Sequence, residues 1–249
     1  MVRAMTYIGV DGCKCGWLFV RLDGTAMEFG VATTFRELIA AAPDRASVFV
    51  DIPIGLRDDT PTPRSCDTTA RKLLGPKRAP TVFPAPIRAI LLERSHSDAT
   101  SKSVRLTGKG ISQQAFAIIP KIREVDALIA STDRTKEIVR EVHPELCFWG
   151  LNGGQAMLHR KKTIDGFAER MAVLDRILPE SERIAQEIMA KYLRRDVARD
   201  DIADALVALA TAAAPSESIS TAPLRPERDS RGLPMEMVYS FRHQNGRVE

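Results

Sequence analysis

Apolar positions fall first into short runs that read as strands. Thr6 to Asp11 is one, Gly16 to Leu22 a second and Ala26 to Val31 a third, with Asp23-Gly24 as a hairpin signal between the last two. Thr33 or Thr34 can cap a helix that runs through Ala42, with Glu37 as the capping-box partner, and Pro43-Asp44 ends it. Ser47 to Asp51 is an unbroken apolar run, as a buried parallel strand requires. Three meandering strands and a helical crossover to a parallel strand predict an α/β domain.

From Pro53 to about Lys136 the pattern changes. Prolines are dense and basic residues alternate with short helical stretches. Helices are expected near Arg64–Leu74, Pro86–Arg94 and Ser112–Ala130. Ser97 to Gly110 is polar, carries Gly108 and Gly110, and reads as a mobile loop. No segment here has the apolar content for a core of its own, so residues 57–136 read as an insertion or cap on a single domain. Glu137 to Val142 is the fifth strand, stopped by His143-Pro144, and Pro144 suits the first turn of a short helix. Helical patterns follow over 164–178, 180–195 and 200–214. Residues 215–234 are rich in Ser, Pro and Arg and read as a surface connection, and Met235 to Phe241 as a last short strand.

Composition narrows the class. Of 249 residues, 44% are hydrophobic and 27% charged, the balance of a soluble globular protein. No apolar run approaches the roughly 20 residues that span a bilayer. Arg3 leads directly into a strand-like run without the features of a signal peptide, so a cytoplasmic protein is expected. Cys13 and Cys15 form a C-x-C too tight for the usual zinc spacing, and Cys66 and Cys147 add no second pair. Free reduced thiols are expected. The net charge is +4, but Arg64 to Lys162 holds 18 Lys and Arg against 9 Asp and Glu, a net +9 that leaves the flanks near −5. A basic middle beside acidic flanks suits a phosphodiester held over metal ions; a solvated basic face is the alternative.

The acids carry the candidate chemistry. Asp11 and Asp51 each close an apolar run, which puts them at the strand ends where open α/β sheets bind ligands. Each also fits a turn, Asp11 before Gly12 and Asp51 before Ile52-Pro53. Asp201 and Asp204 lie one turn apart at the start of an apolar helix. Capping and the helix dipole account for Asp201. They do not account for Asp204, which stands in Ile202-Ala203-Asp204-Ala205-Leu206 and needs a metal or an arginine as partner. Glu141 lies in the fifth strand and is the favoured fifth acid, with Glu145 as a neighbour or a plain first-turn helix acid. Carboxylates brought together without cations repel one another, so convergence implies a divalent metal. His143 reads either as a base or phosphate contact, or as a structural hydrogen-bonder. Lys121, Arg123, Lys161 and Lys162 are candidate substrate phosphate contacts, or ordinary solvated side chains.

Several of these segments together resemble one uncharacterised domain family whose members are described as predicted nucleases with an RNase H-like fold. They are Ile8-Gly9-Val10-Asp11-Gly12, Asp51-Ile52-Pro53-Ile54-Gly55-Leu56, Arg64-Ser65-Cys66-Asp67, Pro120-Lys121-Ile122-Arg123-Glu124-Val125-Asp126, Glu141-Val142-His143-Pro144-Glu145, Lys161-Lys162-Thr163 and Asp200-Asp201-Ile202-Ala203-Asp204-Ala205-Leu206. The resemblance runs from about residue 6 to 240. Cys15 stands where that family usually has glycine. The last segment also resembles the Asp-x-x-Asp-Ala-Leu of RuvC-type junction resolvases, which implies metal ligation by Asp11, Asp51, Asp201 and Asp204.

The expected fold is therefore three-layer α/β and RNase H-like, with a mixed five-stranded sheet and a helical insertion between strands four and five. The expected function is metal-dependent hydrolysis of DNA or RNA. Asp11 would bridge two Mg2+ or Mn2+ ions roughly 4 Å apart, and Asp51, Glu141, Asp201 and Asp204 would complete the ligands. A resolvase would be expected to form a homodimer. Two other classes stay open: a nucleotide-binding phosphotransferase or ATPase of the related actin-like kind, which needs two such halves, and a non-catalytic nucleic-acid-binding protein.

Overall fold

The computed structural model describes residues 5–242. In chain order its elements are β1 (Thr6–Cys13), β2 (Gly16–Asp23), β3 (Ala26–Ala32), α1 (Phe35–Ala41), β4 (Ala46–Val50), α2 (Ser65–Arg78), α3 (His96–Thr107), α4 (Gln113–Ser131), α5 (Asp133–Ile138), β5 (Val139–Glu141), α6 (Pro144–Leu151), α7 (Ile164–Asp175), α8 (Ser181–Lys191), α9 (Arg199–Ala212), β6 (Ile219–Arg228) and β7 (Pro234–Ser240). The chain divides into two compact units. The first comprises residues 1–51, 138–220 and 238–249; the second comprises 52–137 and 221–237. The second unit is thus larger than the insertion expected over 57–136, because the chain returns to it after α9.

The first unit is α/β with a mixed five-stranded sheet in the order β3-β2-β1-β4-β5. The β1–β2 and β2–β3 pairs are antiparallel, and β4 lies parallel to both β1 and β5. The unbroken apolar run of β4 has its cause here: Val48 and Val50 are fully buried in a strand paired on both edges. Thr34 caps α1 by accepting from the Glu37 amide, and Glu37 reaches back to the Thr34 amide, as the capping box predicts. Helices cover both faces. Trp17 meets Phe35 of α1 at 5.0 Å between ring centroids. On the other face α9 lies along β1, and Gly9 is what admits it: a β-carbon there would stand 2.1 Å from the Leu209 nitrogen.

The second unit holds α2, α3, α4 and most of β6 and β7. Arg88 is its main electrostatic tie. It donates to Asp58 at 2.7 Å and Asp126 at 3.2 Å, and also to Asp229. Arg231 closes on Asp126 at 2.7 Å. Arg64 and Asp67, both buried, pair at 2.6 Å.

Four local expectations are corrected. The segment 97–110, read as a loop, is the body of α3. Ser95 accepts from the Asp98 amide at one end and Gly108 turns left-handed at the other, with φ +73°. Only Ala99 and Ser103 of that helix are buried, so it lacks an apolar stripe to read. The expected helix over 86–94 is a single turn at 88–90, because the Arg88 and Ala89 amides bond to the Arg57 and Asp58 carbonyls. Residues 219–228 form β6 in place of a connection; Pro223 and Pro226 are tolerated because the β6–β7 sheet has only two strands. The fifth strand is shorter than 137–142, since α5 takes residues up to Ile138. No helix among the described residues is long and apolar enough to cross a membrane.

Candidate metal centre

Asp11 lies inside a ladder and not at a turn. β1 continues past it to Cys13 and pairs it with Leu18 of β2, closing through the two-residue turn Lys14-Cys15 to Gly16, whose φ is +145°. On its other edge, however, β1 pairs with β4 only as far as Val10 and Val50. The Asp51 amide then donates to the Val10 carbonyl at 3.1 Å, which keeps Asp51 beside Asp11 as the β4 chain leaves the sheet. Side chains two apart share a face, so Asp11 projects where Gly9 does, toward α9. There the backbone contact at Gly9 sets the helix, and Asp204 immediately precedes the Ala205–Leu209 stretch that touches β1. Asp201 precedes it by three residues and accepts from the Ala198 amide at 2.8 Å. Ala198 has no side-chain oxygen with which to return that bond.

Asp11 and Asp204 are buried, at 8% and 1% exposure, and Asp51 and Asp201 are half-buried. Each feels the charge of other acids. Burial, then the charges of Asp204, Asp51 and Asp201, push Asp11 well above the usual carboxylate range. Burial, with Asp204 and Glu141, pushes Asp51 up to about 8. Burial, with Asp200 and Asp204, pushes Asp201 up to about 6. Asp204 is raised by burial, Glu145 and Asp200. In all four Lys161 acts in the opposite sense.

Lys161 was expected to meet a phosphate. Its Nζ instead lies 2.6 Å from Asp204 Oδ2 and 4.0 Å from Asp200 Oδ2. The charge of Asp204, followed by those of Asp11 and Asp51, holds its ammonium above the usual lysine range. Nothing in the Lys161-Lys162-Thr163 run distinguishes Lys161 from its neighbour, and Lys162 is exposed.

The two glutamates separate. Glu141 is in register with Val50 and therefore faces away from Asp51 across the sheet; its charge is the smallest of the influences on Asp51. Glu145 is buried on α6, pairs with the fully buried Arg170 of α7, and raises Asp204. His143 precedes α6, half-buried, and its carbonyl accepts from the Leu146 and Cys147 amides. The Cys147 thiol, buried on α6, is pushed up to about 12 chiefly by burial, and the charges of Asp51 and Asp204 act in the same direction. Lys121 and Arg123 sit on α4 in the second unit, half-buried and exposed respectively.

The donor set suits a hard divalent cation: carboxylate oxygens of buried and half-buried acids, with one ammonium among them. Asp204 Oδ1 is buried with no hydrogen-bond partner, a costly state that a cation would relieve. Among the described residues no three of these carboxylates bring an oxygen each within 4.8 Å of one another.

A family model described as "Protein of unknown function (DUF429)" matches residues 9–228, so the chain belongs to that family. No curated protein and no solved structure matches it.

Proposed function

We propose that this DUF429 member is a divalent-metal-dependent nuclease with an RNase H-like first unit. The single observation that carries the reading is the convergence of Asp11, Asp51, Asp201 and Asp204, from three distant parts of the chain, with an orphaned Asp204 oxygen among them. A mixed five-stranded sheet with an acid on β1, another after β4 and a pair on α9 supports this reading.

Asp11, Asp51 and Asp204 would hold Mg2+ or Mn2+, with Asp201 at the rim. A bound divalent ion supplies a Lewis acid for a phosphoryl oxygen and lowers the pKa of a bound water. Asp11 and Asp51 are held by the β1–β4 ladder, so their spacing is fixed before substrate arrives. Asp204 presents one oxygen to Lys161 and keeps the other buried without a hydrogen-bond partner. Lys162 and His143 are the proposed phosphate contacts on this unit. The second unit contains 18 Lys and Arg against 12 Asp and Glu, Lys121 and Arg123 among them, a balance favourable to nucleic acid. Glu141 falls outside the ligand set in this reading, and Glu145 is its second layer.

One observation favours a second reading. Lys161 already neutralises Asp204, so the acids can persist as a structural feature of a non-catalytic nucleic-acid-binding protein. Labelled single-stranded, duplex and branched DNA and RNA, incubated with the protein and Mn2+, Mg2+ or EDTA, separate the two. Cleavage that requires metal and is lost in Asp51→Asn supports the nuclease; binding that is salt-dependent, indifferent to metal and without cleavage supports the alternative.

A further inference from the structure

We propose that Lys161 serves as one of the two cations of this centre, so that the acids take up a single divalent ion. The inference rests on the metal-dependent reading above and departs from the two ions that the sequence suggests.

Lys161 is not a surface side chain that happens to reach an acid. Its turn is pinned on both sides. The Thr163 amide and hydroxyl both donate to the Arg160 carbonyl, at 3.0 and 2.8 Å, and Thr163 caps α7 by accepting from the Gly166 amide at 3.0 Å. Gly166 is pressed so closely on this turn that a β-carbon would stand 1.9 Å from the Arg160 carbonyl oxygen. Arg170 ties down the same stretch by donating to the carbonyls of His159 and Gly166. The backbone at Lys161 is therefore fixed, and its side chain reaches from the turn before α7 to α9, leaving 39% exposed.

Where it ends decides the count. The ammonium takes Asp204 Oδ2 at 2.6 Å and stands 4.0 Å from Asp200, while Asp204 Oδ1 has no partner. Asp204 thus divides its two oxygens, one for a resident cation and one for an incoming ion. A second divalent ion on the Lys161 side would meet the positive charge of that ammonium a few ångströms away, and like charges so placed repel. One divalent ion and Lys161 together bring three positive charges to Asp11, Asp51, Asp201 and Asp204.

The test is the number of Mn2+ ions bound, counted by the loss of the free-ion paramagnetic signal as metal-free full-length protein is titrated at pH 7.5. The wild type is expected to bind one. Lys161→Arg, which keeps the charge, is expected to bind one, and Lys161→Met, which removes it, two, the first about tenfold more tightly than the wild type. Two ions in the wild type, or one of unaltered affinity in Lys161→Met, overturn the inference while leaving the metal reading intact. If Lys161→Met does not fold, the wild-type and Lys161→Arg counts still decide. No Mn2+ bound by the wild type removes the metal reading and this inference together.

Discussion

Gly9 of β1 and Leu209 of α9 meet backbone to backbone. A β-carbon on Gly9 would lie 2.1 Å from the Leu209 nitrogen and 2.2 Å from the Ala205 carbonyl oxygen. Asp11 is two residues on from Gly9 along the strand, and Asp204 adjoins Ala205 on the helix. The contact that packs the unit also sets the distance between two of its buried acids, Asp11 and Asp204.

Gly9→Ala should therefore cost both stability and the site. The helix backbone cannot yield as a flexible side chain would, so the loss is expected to be about 3 kcal/mol, the upper part of the usual range for overpacking. A denaturant melt checks the stability and calorimetry with Mn2+ checks the site. A melt unchanged from wild type would mean that α9 does not rest on β1 as described.

The metal-free protein should lose stability as the pH rises. Unfolded Asp51 and Asp201 ionise near 3.8, whereas in the folded chain they hold their protons up to about 8 and about 6. Their contribution is fully present below pH about 4 and is lost as pH climbs through those two values. Thermal melts in chelator from pH 5.5 to 8.5 should show a falling Tm. Saturating Mn2+ should flatten that fall, because bound metal favours the ionised acids. A Tm that rises with pH in chelator would contradict the buried acid cluster.

Glu145 and Arg170 should behave as one element. Both are buried, and removing either charge takes away the other's partner in this ion pair. Glu145→Gln or Arg170→Met should each destabilise by about 3–5 kcal/mol, and the double variant by less than the sum. Additive losses in denaturant melts would show that the two do not depend on each other.

The two acids next to β4 should differ in their effect on metal. Asp51 faces α9 with Asp11, whereas Glu141 shares the face of Val50. Asp51→Asn should weaken Mn2+ binding by at least about tenfold, a change of about 1.4 kcal/mol, and Glu141→Gln by much less. Equal losses by calorimetry would return Glu141 to the ligand set.

How far the sequence reaches follows from the kind of signal each feature leaves. Strand runs and the capping box at Thr34 are local, and the five-stranded mixed sheet was legible from them. Asp204 was legible because an acid within Ile202-Ala203-Asp204-Ala205-Leu206 contradicts its surroundings, and the structure buries it as that conflict requires. Lys161 left no such signal. Its role comes from where the turn before α7 meets α9, and a lysine among lysines looks solvated. The face of Glu141 was illegible for a related reason: it depends on a register with Val50 that pairing sets and composition does not. α3 was missed because its caps are clear but its apolar stripe is nearly absent.

Calorimetric titration of Mn2+ into wild-type protein and Asp11→Asn, with cleavage of labelled single-stranded, duplex and branched substrates followed in the same samples, tests the central claim most directly. The account predicts Mn2+ binding and cleavage by the wild type and the loss of both in Asp11→Asn. A wild-type protein that binds no Mn2+, even with nucleic acid present, would contradict it.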